Sequence, residues 1–198
     1  MRMHVSRETT DRLDAYQDLI RKWNPRINLV APSTLDDLKG RHIDDCLQLA
    51  AQVSTVSGSW VDIGSGGGFP GIVLAIALAD QDLSITLIES DQRKSTFLRT
   101  AIRELDLKNA QVLTARIERA TRQNADYLSA RALAPLPRLM PYLTRHLGAN
   151  GQAWLMKGQR WQDEVDEARQ AWAFDVESYE SVTQPGAAIL KISGVTHE

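Results

Sequence analysis

The chain has 198 residues, 43% of them hydrophobic, and sets 23 Lys+Arg against 25 Asp+Glu for a formal net charge of −2. That length suits one α/β domain with an appendage and buries enough core to need neither a disulfide nor a metal. A lone cysteine, Cys46, excludes a disulfide framework and a cysteine zinc site, and the longest apolar-rich run, Phe69 to Ala79, is too short for a bilayer and contains Pro70.

The first third reads helical. Leu13, Tyr16, Ile20 and Trp23 fall at helical spacing, and Asn24-Pro25 is expected to stop that helix. Ser33, with Asp36 three residues on, is placed to cap a second helix whose apolar face is Ile43, Cys46, Leu47 and Ala50. Ser54 to Ser59 reads as a small-residue linker, which divides a helical region, 1–57, from a second domain, 58–198. There the pattern changes to strands alternating with helices. Strands are expected at Trp60–Ile63, Ser84–Glu89, Gln111–Thr114, Asp126–Ala130 and Ala153–Met156. Helices are expected over Phe69–Ala79, from Asp91 to Leu105, over Pro135–Leu147 and over Trp161–Trp172, with Gly148 and Gly151 bracketing a turn. Val176–Tyr179 and Ala188–Ile192 have only Gln184-Pro185-Gly186 as a turn between them and must pair antiparallel. The expectation is an α/β, Rossmann-like, mostly parallel seven-stranded sheet that ends in an antiparallel hairpin.

The loop Asp62-Ile-Gly64-Ser-Gly66-Gly-Gly68-Phe-Pro-Gly71 follows the first strand and opens a helix. In an open parallel sheet that is where a ligand binds, because glycines let it approach the backbone. The string fits a dinucleotide site as well as an S-adenosylmethionine site, and Glu89 at the end of the next strand could hold a ribose in either. Asp62 separates them. A carboxylate there would oppose the pyrophosphate of NAD but suits the cationic methionine part of S-adenosylmethionine. Ile72 after Gly71 excludes a P-loop.

Cys46 lies on an apolar helix face, so a thiolate route to carbon methylation is not expected, and the fourth strand lacks the Pro-Pro-aromatic loop used on exocyclic amines. An acceptor that needs only orientation remains, and guanine N7 is one, since its lone pair attacks without losing a proton. The basic residues are 17 Arg to 6 Lys. Arg116, Arg131, Lys157 and Arg160 follow the third, fourth and fifth strands, where an anionic, base-stacking partner would lie; ion pairs with Glu118, Asp163 or Glu164 are the alternative.

Six blocks in order then carry a family resemblance: Tyr16 to Val30 with Trp23-Asn24 and Asn28-Leu29, Arg41-His42-Ile43-Asp44, the glycine loop, Ala115-Arg116-Ile117-Glu118, Ser129-Ala130-Arg131-Ala132, and Lys157-Gly158. The chain resembles the RsmG family (glucose-inhibited division protein B type), bacterial small-subunit 16S ribosomal RNA guanine-N7 methyltransferases. The resemblance implies S-adenosyl-L-methionine as cofactor, held by Gly64, Phe69, Ile117, Glu118 and Arg131, which join Asp62, Gly66 and Glu89 from the loop reading. It implies that Arg116 and Lys157 serve catalysis or the RNA, with Arg41, His42 and Arg160 beside the substrate. The expected partner is 16S rRNA within the small ribosomal subunit. A monomer in the cytoplasm, with no metal and no membrane, is expected; the opening Met1–Glu8 lacks a signal-peptide stretch. Cys46 stands where the family usually has Ser. Rival readings are a nicotinamide oxidoreductase, a small-molecule methyltransferase and a methyl-donor-binding assembly factor.

Overall fold

A computed structural model of the chain describes residues 5–53 and 56–197, so Ser54 and Thr55 of the expected linker and Met1–His4 lie outside the described residues. The strands are β1 (Gly58–Ile63), β2 (Leu83–Glu89), β3 (Ala110–Thr114), β4 (Ala125–Arg131), β5 (Leu147–Lys157), β6 (Trp172–Glu180) and β7 (Ala188–His197). They form one sheet in the order β3-β2-β1-β4-β5-β7-β6. β1 to β5 run parallel, and β7 enters antiparallel between β5 and β6. Central strands covered on both faces need continuous apolar runs. Trp60, Val61 and Ile63 of β1 are accordingly buried, and so is Asp62.

The helices are α1 (Arg7–Ile27), α2 (Asp44–Gln52), α3 (Gly71–Ala77), α4 (Gln92–Glu104), α5 (Leu136–His146) and α6 (Trp161–Ala168). α1 to α4 cover one face. Leu13, Tyr16 and Ile20 of α1 share one core with Ile72 and Ile76 of α3 and Phe97 of α4. α5 and α6 cover the other face, where Leu139, Leu143 and Val165 pack on Val61, Leu128 and Leu155. α4 begins as expected: the Asp91 carboxylate accepts from the Arg93 and Lys94 amides at 2.8 and 3.2 Å.

Four expectations are corrected. α1 does not stop at Asn24; it carries Pro25 inside its last turn and ends at Asn28, whose φ is +48°. The buried Asn24 side chain accepts from the Leu29 and Val30 amides at 2.7 and 2.9 Å, and this turns the chain where proline alone was expected to. The helix expected from Ser33 is broken into a 3₁₀ turn (Pro32–Thr34), a π-helical turn (Lys39–Ile43) and α2. Asp37 diverts the path by accepting from the Gly40 amide at 3.1 Å. Gly148 and Gly151 do not bracket a turn. They lie within β5, which starts directly after α5 and bulges between the pairings Ala125↔Leu147 and Tyr127↔Gln152; a Cβ at Gly151 would stand 2.7 Å from the Ala125 carbonyl. α6 ends at Ala168, and Trp172 opens β6 with its ring edge on His197.

Candidate active site

The carboxyl ends of β1, β2, β3 and β4 surround a cavity of about 590 Å³, within the ~300–1,000 Å³ usual for small-molecule sites. Gly64 and Gly66 form its floor with φ of +67° and +56°, and Gly68 behind them has φ of +91°. A Cβ at Gly64 would meet Leu133 at 2.6 Å, whereas one at Gly66 would find only the Gly64 carbonyl, at 3.8 Å. Packing therefore does not demand glycine at 66; its left-handed backbone and the cavity above it do. Glu89 fixes the loop from below. One carboxylate oxygen accepts from the Gly66 amide at 2.8 Å and the other from the Asp91 amide at 2.7 Å. Tyr16 of α1 fixes it from the side, its hydroxyl donating to the Gly67 carbonyl and its ring 5.5 Å from Phe69.

Of the residues singled out from sequence, His42, Gly64, Gly66, Phe69, Glu89, Arg116, Ile117, Glu118 and Arg131 line this one cavity. The segment Arg116–Glu118 is held from behind by α5. His146 Nε2 donates to the Ile117 carbonyl at 2.9 Å, and Arg145 donates to the Ala120 carbonyl at 2.7 Å. Burial lowers the His146 pKa, which keeps that ring neutral. Arg116 and Glu118 are exposed and make no ion pair among the described residues.

Arg131, the last residue of β4, is not a loose rim cation. Its guanidinium donates to the Arg41 carbonyl at 3.0 Å and to His42 Nδ1 at 2.9 Å. It also pairs with Asp45 at 3.4 Å and sits 5.6 Å from the Phe69 ring centre. The π-helical turn thus presents the Arg41 carbonyl to β4. With Nδ1 accepting, His42 Nε2 carries the proton and meets Thr34 Oγ at 2.8 Å. Burial, then the Arg131 and Arg41 charges, push the His42 pKa down to about 4. Cys46 is buried, and burial pushes its pKa up to about 12, so no thiolate is available near neutrality.

Four site expectations are displaced. Asp62 does not reach the cavity. It is fully buried, with one oxygen accepting from the Ser129 hydroxyl at 2.7 Å and the other, Oδ2, unpartnered and 2.8 Å from where a Gly71 Cβ would be. Burial pushes its pKa up to about 6. Lys157 lies outside the cavity, nearly buried, paired with Glu164 at 2.5 Å and donating to the Ala134 carbonyl at 2.8 Å. Arg160 is exposed beside Asp163 at 3.6 Å. The Arg41 side chain is exposed, and its backbone does the contacting. Unforeseen lining residues are Leu29 to Ala31, Lys94, Arg138 and Tyr142. Lys94 and Arg138 stand in the first turns of α4 and α5, beyond the ends of β2 and β4, a placement that strand–helix alternation makes accessible to sequence reading. The 29–31 segment depends on the Asn24 turn, which has no pattern of its own.

Comparison with known proteins gives the family and the fold. The family described as rRNA small subunit methyltransferase G matches residues 9–192. A protein of Paracoccus denitrificans named ribosomal RNA small subunit methyltransferase G is 57% identical over 195 residues, covering 98% of this chain and 100% of its own. One of Ruegeria with the same name is 49% identical over 197 residues, covering 98% and 95%. Among solved structures, a SAM-dependent methyltransferase from Aquifex aeolicus shares the fold with a TM-score of 0.61 at 14% identity, covering 89% of this chain and 98% of that one. No described helix is long and apolar enough to cross a membrane.

Proposed function

The chain belongs to the rRNA small subunit methyltransferase G family, and on that premise we propose that it transfers a methyl group from S-adenosyl-L-methionine to N7 of a guanine in 16S rRNA of the small ribosomal subunit. One observation carries the reading: a glycine floor whose Gly66 is open to a ligand lies under a cavity lined by nine residues singled out beforehand. The cofactor supplies an electrophilic methyl group on a sulfonium. Gly64 and Gly66 let it approach the backbone, and Phe69 and Ile117 offer apolar surface to its ring system. Glu89 and Glu118 present carboxylates to ribose hydroxyls, while buried Asp62 contributes negative charge beneath the loop, toward the cationic end.

Guanine N7 needs no general base, since its lone pair attacks without losing a proton, and His42 in the site is neutral and committed at both nitrogens. The protein's work is alignment, which contributes several powers of ten when both reactants are held in line. Arg131 ties the Arg41–Cys46 segment to the end of β4 and so sets one wall. Arg116 and Arg138, exposed at the mouth, suit phosphates and stacked bases. The protein works as a monomer in the cytoplasm. The test is methyl transfer from labelled donor to small subunits of a strain lacking the enzyme, followed by mass mapping of the 16S rRNA. One 7-methylguanine is the expected product; a labelled base of another kind, or no label with donor bound, would overturn the reading.

A further inference from the structure

A second cavity, about 220 Å³, adjoins the first across Arg131 and Ala132, which line both. It opens at the ends of β4 and β5, where an acceptor placed beside the first cavity must lie. Its size is below the ~300–1,000 Å³ of whole-cofactor sites and suits one base. Its polar wall is made by Asp45, Arg131, Lys157, Ser181 and Gln184.

Asp45 supplies the only carboxylate of this wall among the described residues. The Thr183 hydroxyl donates to it at 2.8 Å, Gln48 Nε2 at 3.3 Å, and Arg131 pairs with its other oxygen at 3.4 Å. These contacts aim the group and leave about one acceptor position, on Oδ2, since a carboxylate accepts about four hydrogen bonds. Guanine alone among the bases adds a 2-amino donor beside N1–H on its Watson–Crick edge, so the open position on Oδ2 selects it. Lys157 has three ammonium protons, and Glu164 and the Ala134 carbonyl take two among the described residues. The third is available to guanine O6. Binding by that edge leaves N7, on the neighbouring Hoogsteen edge, free to react.

We propose that this second cavity is the pocket of the acceptor guanine and that Asp45 is its specificity-determining residue. The proposal rests on the methyl-transfer reading and adds which residues hold the base. Gly158 provides a clean test. It lines the cavity, and a Cβ built on it meets nothing within 4 Å. Position 158 therefore tolerates a side chain, and Gly158→Phe is expected to crowd the pocket that this residue lines.

The experiment has two arms. In the first, ligand-observed NMR follows guanosine and inosine monophosphates on protein saturated with S-adenosylhomocysteine; inosine lacks the 2-amino group. The parent should prefer guanosine about tenfold, the scale of one hydrogen bond to a charged group. Asp45→Asn should erase the preference, and Gly158→Phe should abolish binding of both. Equal binding by the parent, or a preference that survives in Asp45→Asn, overturns the proposal. In the second arm, Gly158→Phe should keep donor affinity within about twofold yet lose about 100-fold in transfer to small subunits, the scale of a misplaced acceptor. Transfer at the parent rate overturns the pocket while the methyltransferase reading stands. A parent that transfers nothing to subunits overturns that reading instead, and the nucleotide arm still decides the pocket.

Discussion

At Gly66 the φ of +56° and the open space beyond the missing side chain separate two costs. Gly66→Ala should lower stability only by the left-handed penalty, about 1–2 kcal/mol, because its Cβ touches no neighbour. The same methyl group stands in the cavity, so calorimetric titration should show donor affinity reduced at least about tenfold; unchanged affinity would place the cofactor elsewhere. Asp62 makes a prediction about pH. Its pKa in the fold, about 6, lies above the unfolded value of 3.8, so its contribution to stability is complete below pH 3.8 and is lost as pH rises through 6. The difference is about 3 kcal/mol, at 1.36 kcal/mol per unit. Asp62→Asn removes that loss. Denaturant titrations should find the variant gaining on the parent by roughly this amount between pH 4 and 7, and a constant difference would contradict it. His42 works in the opposite direction. Its depressed pKa, about 4, gives stability present above pH 6.5 and lost as pH falls through 4. The Asp62→Asn variant should therefore weaken toward acid where the parent is nearly level.

Among the elements, α1 acts on the site without lining it. Tyr16→Phe leaves the buried Gly67 carbonyl without its donor, which costs about 1–3 kcal/mol. Thermal unfolding should report that loss, and donor affinity should fall with it because the glycine floor loses its lateral hold; normal affinity in a destabilised variant would separate α1 from the site. Strand–helix alternation made β1 to β5, α3, α4 and the closing hairpin legible in the sequence, because a doubly covered parallel sheet forces apolar runs between turn residues. The capping of α4 by Asp91 was legible for a similar reason, since its contacts lie within three residues. The broken path from Pro32 to Gln52 was not. Its π-helical turn answers to Arg131, 90 residues away in sequence, through the Arg41 carbonyl. The commitment of Asp62 to Ser129 was hidden likewise, whereas the pairing of Lys157 with Glu164 and of Arg160 with Asp163 is the alternative that the sequence had offered for these cations.

For the molecule as a whole, charge matters by distribution rather than by sum. Many basic groups are neutralised locally, as Arg12 is by Glu8, Arg21 by Asp18 and Arg160 by Asp163. Arg116 and Arg138 at the cavity mouth have no such partner among the described residues. Arg116→Ala should leave donor affinity as in the parent, while the log–log salt dependence of subunit binding flattens by about one counterion or less. An unaltered slope in filter-binding titrations would mean that RNA does not cross this mouth. The position of β7 in the sheet also bears on how the protein is made. β6 pairs only with β7, and the second edge of β5 stays open until β7 fills it. Ribosomal synthesis is vectorial, and 31 residues separate Lys157 from Ala188. At ~5–20 residues per second, the nascent chain presents an apolar strand open along one edge for roughly 1.5 to 6 s. During that interval β6 has emerged with nothing to join, and an open edge is a template for other chains. The burden on chaperones should therefore fall on this late stage of translation, after the cofactor half of the sheet has already formed.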